Sequence, residues 1–196
     1  MPFSAQGFKN SQGRLRRAAL GLGLGLALLS LSVLLCFGDS ARWIDVPFVR
    51  QVRAGCGAAA IAMVMQYWVK HDSGLDAAAA DAEHIDAALP ASSKGIFGNE
   101  LKKYLEAHGF SAFVFNAEPR DLEQHLAKGR PVVVCLGLKG PDGPLHYAVV
   151  VGLGDADVTL NDPARGKLVR EERQTFLRSW KVTGNWALLA VPRQSS

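Results

Sequence analysis

The stretch Gln51-Val52-Arg53-Ala54-Gly55-Cys56-Gly57-Ala58-Ala59-Ala60-Ile61-Ala62-Met63-Val64-Met65 decides how this chain folds. From Cys56 to about Lys70 its residues are mostly good helix formers, apolar on nearly every side rather than along one stripe. A helix of that kind is predicted to sit in the middle of a core. It is entered through a turn, Gln51 to Gly55, and Cys56 stands at its first position between two glycines. A thiol there meets the positive end of the helix dipole, which favours thiolate. The glycines let another backbone come close. A small buried core cysteine has no need of glycine on both sides, so Cys56 is read as a candidate nucleophile.

Working outward, Trp43 to Val49 is extended, since Pro47 forbids a helix. Downstream, Asp76–Leu89 is Ala-rich and reads as a second helix stopped at Pro90. Asn99 is expected to cap a third helix that Gly109 ends. Ser111–Phe115 alternates like a strand, and Pro119–Lys128 reads as a short helix. Then the character changes. Pro131-Val132-Val133-Val134-Cys135-Leu136 and Tyr147-Ala148-Val149-Val150-Val151-Gly152-Leu153 are β-branched runs, separated by a Gly/Pro-rich loop. Asp157–Leu160 and Trp186–Val191 are shorter strand candidates. Helices first and strands later predict an α+β fold, with N-terminal helices packed on a C-terminal antiparallel sheet.

His146 lies where the loop meets the second valine run, and there it can aim a fixed ring at a cleft. Asp162 follows the next strand candidate, in Asn161-Asp162-Pro163. That tripeptide is ordinary turn chemistry. Yet a hairpin from His146 through Leu153 and back to Asp162 has near-equal arms, and brings carboxylate and imidazole side by side. Asn161 is the alternative orienting group. Gln51, five residues before Cys56, is a candidate donor to a developing oxyanion, with the Cys56 N–H as its companion.

The formal charge of +4 is concentrated at the N-terminus: residues 1–40 hold Lys9, Arg14, Arg16 and Arg17 against Asp39 alone. The remainder is close to neutral, which argues against nucleic acid as a partner. Residues 1–17 are polar and basic, and Ala18–Phe37 is uncharged and apolar apart from Ser30 and Ser32. At 20 residues, 18–37 matches a transmembrane anchor, or the apolar part of a signal peptide cut before Ala41. The basic flank predicts that a domain over 42–194 faces an extracytoplasmic space, either membrane-anchored or, if residues 1–40 are removed, secreted or periplasmic. The three cysteines show no CxxC or Cys/His ligand spacing, so no metal or other cofactor is expected. A Cys56–Cys135 disulfide is the competing use of the two thiols.

Three blocks carry a resemblance to a known family. They are Val46-Pro47-Phe48-Val49-Arg50-Gln51 through Cys56-Gly57-Ala58-Ala59-Ala60-Ile61-Ala62-Met63; Gly129-Arg130-Pro131-Val132-Val133-Val134 with His146-Tyr147-Ala148-Val149-Val150-Val151-Gly152; and Asn161-Asp162-Pro163-Ala164-Arg165-Gly166, followed by Phe176 and Trp180. In that order they resemble the C39 family of papain-like cysteine peptidases, the bacteriocin-leader peptidases and their stand-alone relatives. The resemblance implies a papain-like fold with the nucleophile at the start of the central helix. It implies a Cys56–His146 pair, Asp162 as orienting residue, Gln51 as oxyanion donor, and a peptide or protein substrate. Members often carry Asp just before the Cys and Gln one place further away; here Gly55 and a five-residue spacing stand instead. No Walker A loop is present, so leader cleavage coupled to an export machinery is not implied. Two other functions fit the same residues. One is a catalytically silent peptide-binding module; the other is an amidase or transpeptidase using the same thioester chemistry.

Overall fold

Helix α1 (Cys56–Val69) is the packing centre, with ten of its fourteen residues buried. The computed structural model describes residues 42–71, 74–89, 95–140 and 142–193. After α1 come a 3-10 turn (Ala78–Ala80), α2 (Ala82–Ala88) and α3 (Gly98–Ala107). The C-terminal half alternates β2 (Phe110–Asn116), α4 (Pro119–Ala127), β3 (Val132–Gly137), β4 (Leu145–Leu153), β5 (Asp157–Asp162), β6 (Gly166–Glu172), α5 (Arg173–Lys181) and β7 (Trp186–Pro192). The strands form one antiparallel sheet in the order β2-β7-β3-β4-β5-β6. A short β1 (Arg42–Trp43) pairs with the far end of β4. The expected α+β, papain-like layering is what the chain adopts.

The two valine runs lack alternation because both faces of the sheet are covered. On one face Val133, Val149, Val151 and Leu188 pack with Ile61, Met63 and Met65 of α1 and with Leu101 and Leu105 of α3. On the other, Val132, Val134, Ala148 and Val150 pack with Leu122 of α4 and with Phe176 and Trp180 of α5. Each such side chain contributes roughly 1.5–3 kcal/mol by leaving water. The core therefore fixes α1 over the middle of the sheet, and with it the position of Cys56.

Local details depart from the sequence reading. The Ala-rich segment is not one helix: Asp81 is extended, at φ −75° and ψ 130°, and its side chain accepts from the N–H groups of Glu83 and His84 to start α2 afresh. Asn99 does not cap α3. The helix starts two residues earlier than that cap implies, at Gly98, and Glu100 reaches back to accept from the Phe97 N–H at 2.9 Å. Both cysteines of the described chain are free thiols, so the disulfide alternative is overturned.

The expected localisation, membrane-anchored or secreted, is also corrected. Among the described residues no helix is long and apolar enough to cross a membrane. The longest, α1 with 14 residues, spans about 21 Å against the ~30 Å of a hydrocarbon core. The run 18–37 on which the anchor was read lies outside the described residues.

Candidate active site

Cys56 opens α1, where helix geometry leaves the first N–H groups without intrahelical acceptors. Gly55 precedes it for a steric reason. A Cβ there would stand 2.9 Å from the Val52 carbonyl oxygen and 3.1 Å from Oδ1 of Asp86. Gly57 lets α1 settle against Tyr147, Leu101 and Ile96, each 3.3–3.4 Å from where its Cβ would be. The cysteine is thus held from both sides by neighbours that need glycine.

The β4–β5 hairpin brings the other two groups together. Val149 pairs with Asn161, so the register continues to Ala148 opposite Asp162. His146, two residues further along β4, is then the diagonal neighbour of Asp162 on the same face. Its Nε2 donates to Asp162 Oδ1 at 2.8 Å, and both residues are almost wholly buried. The same Oδ1 accepts from the backbone N–H of Ala164 at 2.9 Å and of Arg165 at 3.2 Å. One carboxylate oxygen therefore accepts both from the turn and from the imidazole. Asn161 is engaged elsewhere, donating to the Val46 carbonyl and accepting from the Leu168 N–H.

The Cys56 thiol shares a hydrogen bond with the His146 side chain. Since Nε2 is committed to Asp162, the nitrogen facing the sulfur is Nδ1. The backbone N–H groups of Gly57 and Tyr147 also bond the sulfur. Burial alone would raise the thiol. The bond to His146 and the two backbone donors outweigh it, so Cys56 titrates below its ordinary 9.0. Burial alone would lower the imidazole. Its bonds to Asp162 and Cys56, and their charges, outweigh that and raise it to about 9. Asp162 is held below the usual carboxylate range despite burial, by His146 and the two backbone donors. Sequence reasoning missed the Tyr147 N–H, because a backbone donor carries no residue-type signal.

Gln51 is tied to the same corner: its backbone N–H donates to the Pro163 carbonyl at 3.1 Å. Its side-chain Nε2 donates to the Arg53 carbonyl at 2.9 Å, while Oε1 is buried without a partner. The amide has two N–H bonds, and the Arg53 carbonyl takes one of them. Gln51 and Gly55 line a cavity of about 320 Å³ between the start of α1 and α2, whose charged walls are Arg50, Arg53, Glu83 and Asp86.

Helices packed over one antiparallel sheet, with the longest helix at the centre, are the layering of a papain-like peptidase domain. The chain belongs to the Peptidase_C39-like family, whose model matches residues 43–188. Its fold is similar to that of a Bacillus anthracis protein described as a C39-like peptidase (20% identity, TM-score 0.63, 80% of this chain and 100% of that one). It is similar to a double glycine motif protease from an AMS/PCAT transporter, solved with the leader peptide (25% identity, TM-score 0.60, 79% and 96%). It is also similar to the peptidase domain of Streptococcus ComA, a bi-functional ABC transporter in a quorum-sensing pathway (22% identity, TM-score 0.60, 76% and 100%). No curated protein matches the chain.

Proposed function

We propose that this chain is a cysteine peptidase that hydrolyses peptide bonds through Cys56, His146 and Asp162. The observation that carries the reading is the hydrogen-bonded series from a thiol held low, through an imidazole held high, to a buried carboxylate. A thiol below and an imidazole above their ordinary values favour a thiolate–imidazolium pair near neutrality, the activated state of a cysteine nucleophile. That a double glycine motif protease of similar fold was solved with its leader peptide supports a peptide as substrate.

The chemistry is acyl transfer. The Cys56 sulfur attacks the carbonyl carbon, forming an S–C bond and an oxyanion. The Cys56 N–H and the second N–H of Gln51 are the donors toward that oxygen, each worth roughly 3–4 kcal/mol in comparable sites. On collapse the C–N bond breaks, and His146 gives its proton to the leaving amine. Water then attacks the thioester, the C–S bond breaks, and the water proton returns to His146. Asp162 holds Nε2–H throughout, so Nδ1 keeps facing the sulfur.

The test is a peptide library incubated with the wild type and with Cys56→Ala, read by mass spectrometry of products. New carboxyl termini formed by the wild type alone support the reading. Equal turnover by Cys56→Ala removes it. Products joined to an added amine rather than to water would reassign the chain as a transpeptidase, and binding without cleavage as a silent peptide module.

A further inference from the structure

We infer that the free edge of β2 pairs with β2 of a second copy, so that the chain forms a two-fold dimer through one continuous sheet. β2 ends the strand order, with β7 on its inner side. Its phase follows from bonds at its two ends. The Arg193 N–H donates to the Gly109 carbonyl at 2.8 Å, and the Ala117 N–H to the Asn185 carbonyl at 3.0 Å. Both continue the register in which Phe110 faces Pro192 and Asn116 faces Trp186. Bonded and unbonded pairs alternate in an antiparallel ladder. Odd-numbered residues of β2 therefore bond β7, while Phe110, Ala112, Val114 and Asn116 turn N–H and C=O outward. Pro192, which has no N–H to give, falls in an unbonded pair, as this phase requires. Among the described residues, the Phe110 carbonyl is the outward group that finds a partner, accepting from the Arg193 guanidinium at 3.1 Å.

The strand lacks what keeps an edge single. Residues 110–116 hold no charge and no proline, and Phe113 is 52% and Val114 40% exposed. The opposite edge, β6, is guarded by Lys167, Arg170, Glu171 and Glu172. A long apolar edge pairs with another strand unless something blocks it.

That strand is its own copy, because the edge is complementary to itself. A two-fold axis at Val114 lets Val114 exchange bonds with Val114 of the second copy, and Ala112 with its Asn116. Phe113 then lies opposite Phe115 of the second copy in an unbonded pair, where side chains stand closest. Two positions further out, Phe110 meets Glu118 of the second copy. The Arg193 guanidinium lies at that spot, spent on the carbonyls of Glu106 and Phe110 and facing no carboxylate among the described residues. Glu118 shares only the exposed Arg120. Symmetry forms this cation–anion pair twice, once at each end, whereas a foreign peptide would satisfy the backbone alone. β2 stands three strands from β4, roughly 14 Å away at ~4.8 Å per strand, so the contact lies apart from Cys56 and His146.

The experiment follows the mass of the full chain by analytical ultracentrifugation over a concentration series, with thermal unfolding as the check on folding. The wild type is expected to reach the mass of two chains. Phe113→Lys, at an exposed position, and Val114→Pro, which removes an outward N–H, are each expected to weaken the dimer by roughly 10-fold or more, Phe113→Lys with the Tm of the wild type. Arg193→Glu and Glu118→Arg are each expected to weaken it, and the two together to restore it. Under mild oxidation Val114→Cys is expected to yield a covalent dimer above the wild-type background, since residues in a bonded pair stand ~5.5 Å apart at Cα. Leu168→Cys, on β6, is expected to stay at background. A wild type that remains monomeric at every concentration would overturn the proposal and leave the edge to an extended peptide from another protein. A dimer untouched by Phe113→Lys and Val114→Pro, or Val114→Cys linking no better than Leu168→Cys, would overturn β2 as the contact. A charge-swapped double variant no stronger than its singles would overturn the axis at Val114.

Discussion

Cys56 and Cys135 lie close enough for the charge of one to act on the other, yet they titrate in opposite directions. Cys135 sits mid-strand in β3, paired with Tyr147 and 4% exposed. Burial, reinforced by the charge of Cys56 and only partly offset by the His146 N–H, pushes it up to about 11. Cys56 is half-buried and pays the same desolvation, but it adds an imidazole and two backbone N–H groups at a helix start, and these reverse the sign. The difference in direction comes from the donors aimed at the sulfur; burial by itself raises a thiol.

The largest effect separates the two thiols outright. Cys56→Ala is expected to lower kcat/KM by roughly 10⁴-fold or more in a peptide-cleavage assay. Cys135→Ala should stay within a few-fold of wild type and lose about 1 kcal/mol in chemical denaturation. Comparable losses of activity from both would break the contrast. Next comes Asp162→Ala, for which kcat should fall roughly 10²–10⁴-fold as His146 loses its orientation. Stability should fall too, since the Ala164 and Arg165 N–H groups lose their acceptor. Asp162→Asn should recover the turn, visible as a restored Tm, and much of the activity, since an amide oxygen still accepts from the Ala164, Arg165 and His146 N–H groups. If Gln51 is the oxyanion donor proposed above, Gln51→Ala should cost roughly 10²–10³ in kcat with the pH dependence of Cys56 alkylation unchanged, because such a donor acts on the oxyanion and not on the sulfur. The smallest effect tests the shape around the thiol. Gly55→Ala should cost about 1–3 kcal/mol, read as a Tm shift, because its Cβ meets the Val52 carbonyl, a backbone atom with little room to give.

The elements legible in the sequence share one physical property. Strand β3, the middle of β4 and most of helix α1 are buried on all sides, so their residues carry an unbroken apolar signal. β6 and α5 were not assigned from pattern. Gly166–Glu172 is an edge strand dominated by charge, and α5 shows the core only Phe176 and Trp180. The placement of His146 beside Asp162 was readable from hairpin arm lengths, because antiparallel geometry turns spacing into proximity. The choice of Asp162 over Asn161 was not. Both are buried polar residues at the same strand end, and only the three-dimensional pairing sends Asn161 toward Val46. The Arg53 acceptor for Gln51 was hidden for a similar reason: Arg53 adopts φ +51°, a left-handed conformation that nothing in its residue type announces.

The central claim is that His146 lowers the Cys56 thiol while Cys135 stays protonated. It is tested most directly by the rate of iodoacetamide alkylation at each cysteine against pH, in the wild type and in His146→Ala. Cys56 of the wild type is expected to react already at pH 6, with Cys135 reacting appreciably only as the pH approaches about 11. Replacing His146 should move the Cys56 profile upward toward its ordinary 9.0. Peptide turnover should rise with pH as the Cys56 thiolate forms and fall again through about 9, as His146 loses the proton it must deliver. A Cys56 profile identical with and without His146, or alkylation of Cys135 at the same pH as Cys56, would contradict it.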